Sequence, residues 1–201
     1  MTHAVADRTP DHAIDPLFTR RWSPRSFTGE ALDDTTLFRF FEAARWAPSG
    51  YNAQPWRFIY TRAGTPAWAP LFATLSEYNQ GWARRASALV LVLSGRLWAA
   101  PGSLEPQPNI THAFDAGAAW AHLALQVELA GWHAHAIGGF DRDQARRVFS
   151  VPADHELHAV IAIGRRGDKE ALPPALQARE APNQRLPLSS IVAEGRFAFD
   201  S

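Results

Sequence analysis

Arg20, Arg21 and Arg25 fall within six positions, with Ser23 among them. Guanidinium groups at that spacing can hold a phosphate or another oxyanion through several directed donors, and Ser23 can add a hydroxyl. A solvated basic patch beside a helix end would have the same composition. A second polar cluster, Ser49-Gly50-Tyr51-Asn52-Ala53-Gln54, is pinned between Pro48 and Pro55 and offers hydroxyl, amide and backbone groups. It is either a plain connection whose Asn52 supports a turn or a recognition loop. Gly138 and Gly139 allow backbone to approach a flat ligand with no Cβ in the way, or simply make a turn. His133 and His135 would share one side of a strand. Two histidines with no third ligand at a recognised spacing make a poor metal site, so no metal is expected there.

These groups need elements to hold them. Leu37, Phe40, Phe41 and Ala44 recur at helical spacing and predict a helix with one buried face, capped by Asp33 or Asp34. Pro48 disfavours helix at Ala47 and donates no N–H, so the helix ends near it. Trp56-Arg57-Phe58-Ile59-Tyr60 alternates and is rich in aromatic and branched residues, as a strand should be. Residues 65–85 read as one or two helices, and residues 87–94 as a strand buried on both faces. Segment 96–109 has prolines, glycines and no periodicity, and reads as a mobile loop. Residues 111–130, closed by Gly131, form the longest predicted helix. That helix is apolar nearly all round, which in a chain this small predicts burial against a second subunit. Asp141 caps a helix through Phe149, and residues 156–164 form a further strand. Residues 1–15 read as a flexible arm, leaving 16–201 as a single domain. The stretch 172–201 has no amphipathic pattern and is not expected to pack on its own core.

In order and spacing, Ala47-Pro48-Ser49-Gly50-Tyr51-Asn52-Ala53-Gln54-Pro55-Trp56-Arg57-Phe58 resembles the Ala-Pro-Ser-x-x-Asn-x-Gln-Pro-Trp-x-Phe loop of the nitroreductase family of FMN-dependent oxidoreductases. Arg21-Trp22-Ser23-Pro24-Arg25-Ser26-Phe27 is similar to that family's Arg-x-Ser-x-Arg/Lys-x-Phe element. The resemblance implies an α+β, nitroreductase-like fold: a central, mostly antiparallel sheet flanked by helices, with a C-terminal tail wrapping the partner subunit of a homodimer. It implies FMN as cofactor, NADH or NADPH as electron donor, and a site of Arg21, Trp22, Ser23, Arg25, Pro48, Ser49, Gly50, Asn52, Gln54, Gly138, Gly139 and Arg185. Carried over residue by residue, Arg21, Ser23 and Arg185 serve the phosphate and ribityl chain. Arg25 lies near the pyrimidine end of the flavin, and the Gly138–Gly139 backbone faces flavin N5. Two positions depart from the pattern: Gly138 stands where many members carry an acid, and Asn183 where many carry a second basic residue. The helix at 111–130 contains Asp115-Ala116-Gly117-Ala118-Ala119, similar to the start of the family's interface helix.

The activity implied is NAD(P)H-driven reduction of nitroaromatics, quinones or similar flat acceptors by ping-pong transfer, with Arg25 as electrostatic stabiliser and no obligate side-chain nucleophile. The same flavin site would also serve a specialised relative, such as a dehalogenase or flavin-fragmenting enzyme, or a non-enzymatic flavin-binding protein. Composition narrows the other classes. Twenty basic and twenty acidic residues cancel, which leaves no electrostatic footprint for nucleic acid or an anionic membrane. The chain has no cysteine, so disulfides, thiolate catalysis and iron–sulfur clusters are excluded. No Gly-x-Gly-x-x-Gly fingerprint marks a separate dinucleotide fold. With no secretory pattern and no spanning segment, a cytoplasmic location is expected.

Overall fold

The apolar run beginning at Ser87 forms strand β2 (Ala88–Gly95), every residue of which is buried up to Ser94. It lies inside a four-stranded antiparallel sheet of order β1-β2-β6-β5, with β1 Trp56–Arg62, β5 His133–Ile137 and β6 His155–Gly164. This is a computed structural model, and it describes residues 8–199. The α+β fold expected from the sequence is the one observed.

Because side chains alternate across a sheet, β2 feeds two cores at once. Leu89, Leu91 and Leu93 face one side with Leu71 of α3 (Trp68–Phe72), Trp82 of α4 (Glu77–Ala83), Ala145 of α6 (Arg142–Val148) and Leu176 of α7 (Pro174–Gln177). Ala88, Val90 and Val92 face the other side. There they meet Leu37, Phe40 and Ala44 of α2 (Asp34–Arg45) and Ala119, Leu123 and Val127 of α5 (His112–Leu129). The molecule is therefore a sheet between two helical layers. Between Val92 and Leu93 the register with β6 slips by one residue, leaving His158 as the extra residue of a β-bulge.

Several boundaries follow their local signals. Asp33 caps α2, its carboxylate accepting from the Thr36 N–H at 2.8 Å. Asp141 caps α6 by the same bond to Gln144. Other segments differ from expectation. Segment 96–109 carries a small two-stranded ladder, β3 (Leu97–Trp98) against β4 (Gln107–Pro108), and Trp98 also stacks on Tyr51. The start of the C-terminal stretch does pack on its own core: Leu172 and Leu176 are buried in it. Only beyond Pro182 does the tail run exposed, with Leu186, Ile191, Val192 and Phe197 open to solvent.

Of the expected N-terminal arm, residues 1–7 lie outside the described residues. Arg8 is tied down, donating from Nη1 to the carbonyls of Thr19 and Arg21 at 2.7 and 2.8 Å. The latter bond braces the C-terminal end of α1 (Pro16–Arg20). Helix α5 buries one stripe (Ala116, Ala119, Leu123, Val127) but leaves Ala113, Phe114, Gly117, Ala121 and Leu129 exposed on the other. Within one chain, then, it is not covered on all sides.

Helix α2 delivers the polar loop to the sheet, and its apolar face is the anchor. Leu37 is fully buried, so Leu37→Ala should destabilise the fold by about 2–5 kcal/mol through lost transfer energy and the cavity left behind. Urea unfolding of the two proteins measures this; a difference below about 1 kcal/mol would mean α2 is held by other contacts.

Candidate functional site

The segment after α1 turns along the outer edge of β5 and is fixed through its backbone. Glu180 is buried, and its carboxylate accepts from the Arg25 N–H at 2.8 and 3.0 Å and from the Ser26 N–H at 2.9 Å. Ser26 Oγ donates to the Asp168 carbonyl at 2.6 Å. Trp22 is buried beside this turn and Phe27 inserts into the core. With the backbone held this way, the side chains of Arg21, Ser23 and Arg25 open onto one cavity of about 520 Å³, together with Trp22, His135, Arg179, Asn183 and Arg185.

The electrostatics of this cavity are one-sided. Four guanidinium groups line it and no carboxylate does. Glu180, the acid beside it, is spent on two backbone N–H groups. Glu128 pairs with Arg20 at 3.2 Å. Arg21 has its pKa lowered, first by burial and then by repulsion from Arg185, with Glu128 only partly offsetting this. Nε of Arg25 is buried with no hydrogen-bond partner among the described residues. Crowded cations and an orphaned donor are costly unless an anion completes them. The donor set, planar forks plus the Ser23 hydroxyl, fits the acceptor-only oxygens of a phosphate ester.

The polar loop stands elsewhere. It precedes β1, whereas the cavity lies beside β5, at the opposite edge of the sheet. Three strand spacings separate those edges, about 14 Å. None of Pro48, Ser49, Gly50, Asn52 or Gln54 lines the cationic cavity. The loop is nevertheless built for a purpose. Tyr51, Asn52 and Gln54 all take positive φ (51°, 54° and 47°), a conformation that costs a non-glycine residue about 1 kcal/mol or more. Ser49 Oγ accepts from the Gln54 N–H at 3.0 Å. Buried Asp115 on α5 accepts from the Gly50 N–H at 3.3 Å and from Thr111 Oγ1 at 3.0 Å. A Cβ at Gly50 would meet Thr111 Oγ1 at 2.8 Å, so a glycine is needed for this close seat. Tyr51, Asn52 and Gln54 are left exposed, Tyr51 stacking on Trp98 at 5.2 Å.

Gly138 and Gly139 follow directly on β5 and are exposed. The Gly139 carbonyl accepts from Ser76 N–H and Asn79 Nδ2, which fixes the turn, while a Cβ at Gly138 would point into open space. Along the strand, Gly138 lies three residues from His135, about 10 Å of extended chain. The antiparallel register puts these glycines and the polar loop at the same end of the sheet but at opposite edges.

The structure thus unites Arg21, Trp22, Ser23, Arg25 and Arg185 in one cavity, sets Gly138 and Gly139 at the end of the strand lining it, and holds the 48–54 loop apart. Three residues have roles that the sequence did not assign to them. Arg179 adds a fourth guanidinium, with Nη1 3.4 Å from the Tyr78 hydroxyl. Asp115 seats the loop, and the Asp-x-Gly-x-Ala pattern did mark its position. His135, weighed in the sequence as half of a poor metal site, lines the cavity with its ring 4.6 Å from that of Trp82.

Comparison with known proteins bears on family and fold. The sequence profile described as the nitroreductase family matches residues 18–165. A solved structure described as an oxidoreductase containing FMN is 41% identical, covers 100% of both chains and superposes with a TM-score of 0.93. An uncharacterised 15.4 kDa protein from Mycolicibacterium smegmatis is 34% identical over 149 residues, covering 70% of this chain and 97% of its own. An NADH dehydrogenase from Thermus thermophilus is 28% identical over 86% of this chain and 91% of its own. Among the described residues no helix is long and apolar enough to cross a membrane.

Titration gives a direct check on the cavity. Burial, then the nearby Arg25 and Arg21 charges, pull the His135 pKa down from 6.5 to about 4 against the bonds from backbone carbonyls. Between those values the unfolded chain binds a proton that the folded one refuses, so stability falls as pH drops from about 6.5 toward 4, at up to about 1.4 kcal/mol per pH unit from this group. His133 and His158 are shifted the same way and add to the slope. His135→Gln should flatten the acid limb of the stability curve without abolishing it. An unchanged limb would mean that His135 is solvated.

Proposed function

The chain belongs to the nitroreductase family, and from that premise we propose that it is an FMN-dependent oxidoreductase in which NADH or NADPH reduces nitroaromatics, quinones or similar flat acceptors. The observation carrying the cofactor assignment is the guanidinium-lined cavity with its orphaned Arg25 Nε. Arg21, Arg185 and Ser23 would hold the phosphate end, with Arg179 supplying the charge that Asn183 does not. When bound, FMN supplies acceptance of a hydride from nicotinamide and its return to a second substrate at the same face.

The chain's own residues prepare that chemistry. Arg25 would supply a positive charge to stabilise the negative one that reduction creates, and at a partly buried position that charge would be little screened. The Gly138–Gly139 turn would offer bare backbone to a flat ring, since no Cβ stands in the way. Asn52 offers an amide donor and acceptor for a ring edge. The 48–54 loop cannot reach the cavity of its own chain, which favours a homodimer in which each loop completes the partner's site. The exposed apolar stripe of α5 and the exposed tail beyond Pro182 are the surfaces such a dimer would cover. Buried together, they would form the large apolar interface typical of obligate homodimers.

Anaerobic mixing tests the activity. NADH or NADPH should bleach the bound flavin with no acceptor present, and steady-state kinetics with a quinone or nitroaromatic should give parallel double-reciprocal lines. Failure of both nicotinamides to bleach the flavin overturns the reductase reading in favour of a specialised or storage role.

Arg185→Ala should weaken FMN retention about tenfold or more by removing a charge-assisted bond to phosphate. Unchanged affinity by equilibrium dialysis would take Arg185 out of the site. Sedimentation should show a flavin-loaded dimer at low micromolar concentration, and a stable loaded monomer would contradict the shared-site arrangement.

A further inference from the structure

Within the cationic cavity one group is unlike the rest. The lining side chains that can hydrogen-bond are mostly donors: four guanidiniums and the Trp22 indole, with Ser23 able to play either part. The Asn183 side-chain amide oxygen is an acceptor, with one of its two lone pairs taken by Arg185 Nη1 at 2.8 Å. The remaining side chain is His135. Its Nδ1 lies 3.0 Å from the Pro24 carbonyl oxygen, which can only accept, so Nδ1 carries the proton. In a neutral imidazole the other nitrogen is then a lone pair. Burial beside Arg21 and Arg25 keeps the ring neutral at physiological pH. The Trp82 ring at 4.6 Å fixes its plane. A neutral acceptor is thus held among donors.

A phosphate cannot use such an acceptor, because a phosphate dianion has no proton to give. We infer that His135 is a cofactor-binding residue whose Nε2 accepts a hydrogen bond from a hydroxyl of the FMN ribityl chain. The flavin portion that combines proton donors with a place between phosphate and ring is the ribityl chain, and His135 is bonded to Pro24, in the turn that joins Arg21 to Arg25, the residues proposed to serve those two ends. The acceptor gives the cavity a way to distinguish a polyol-linked ligand from a bare oxyanion, to which the four arginines would respond alike. This assignment rests on the FMN reading above.

The test compares three flavins on protein stripped of its cofactor: FMN, riboflavin, which lacks the phosphate, and lumiflavin, which also lacks the ribityl chain. His135→Phe should lower the affinity for FMN and for riboflavin by the same factor, about tenfold, the loss of one buried hydrogen bond. Lumiflavin affinity should not change. His135→Gln keeps an acceptor oxygen and should recover most of the loss. In wild-type protein labelled with ¹⁵N at histidine, the unprotonated Nε2 resonance should move upfield on adding FMN and stay put with lumiflavin. The NMR experiment needs no variant, and decides the matter if His135→Phe does not fold. The inference is overturned if His135→Phe binds FMN as wild type does, if lumiflavin affinity falls equally, or if the Nε2 resonance does not move. If wild-type protein binds no FMN at all, the proposed function fails first, and that outcome is separate from these.

Discussion

The structure turns on positive charge that the chain does not neutralise. Arg21, Arg25, Arg179 and Arg185 converge on one cavity, and the acid closest in sequence to Arg179 is spent on backbone N–H groups. That choice serves two ends at once. Glu180 fixes the turn that aims Arg21, Ser23 and Arg25, and in doing so it stays away from their guanidiniums. Paired arginines would be a stable surface cluster with nothing left to give. Left without a carboxylate, they crowd one another and await an anion; the Arg21 pKa is lowered first by its burial and then by repulsion from Arg185. The stability lost to repulsion is recovered on binding, so cofactor retention and folding are linked.

Around that centre the sheet acts as a ruler. β5 carries His135 and then the exposed glycine turn along one edge; β1 receives the strained polar loop at the other. Antiparallel pairing brings both to one end of the sheet but keeps them about three strand spacings apart, some 14 Å. Backbone strain at Tyr51, Asn52 and Gln54 is maintained by Asp115 and Thr111 through Gly50, and by Ser49 within the loop. A loop held in this strained shape yet left exposed is the observation behind the proposed two-chain site. The exposed stripe of α5 carries the same implication, since that helix also holds Asp115.

Much of this was legible in the sequence, and the boundary of legibility has a physical cause. The start and end of α2, the strand after Pro55, the all-buried β2 and the caps at Asp33 and Asp141 follow from local rules, because each depends on residues within one turn or one pleat. The convergence of Arg21, Ser23, Arg25 and Arg185 was legible only through resemblance, since 160 residues of chain separate Ser23 at one side from Asn183 and its neighbours at the other. His135, Arg179 and the anchoring role of Asp115 were not legible, because their meaning comes from tertiary neighbours: Pro24, Tyr78 and Gly50. The strand pair at Leu97–Trp98 was missed for the same reason. Its two strands are only two residues each and ten positions apart, and Trp98 finds its ring partner, Tyr51, in another loop.

The central claim is that each flavin site is made of two halves from two chains, and heterodimers test it most directly. One differently tagged parent would carry Arg21→Ala with Arg185→Ala, the other Asn52→Ala with Ser49→Ala, and the mixed dimer would be isolated through both tags. One site in that dimer inherits both defects and the other inherits none. The account predicts that neither parent retains FMN, while the heterodimer holds about one FMN against about two for the wild-type dimer, as a two-fold symmetric arrangement requires. A heterodimer that holds no FMN, or a loop variant that keeps both, would show that each site is complete within a single chain or built from other residues.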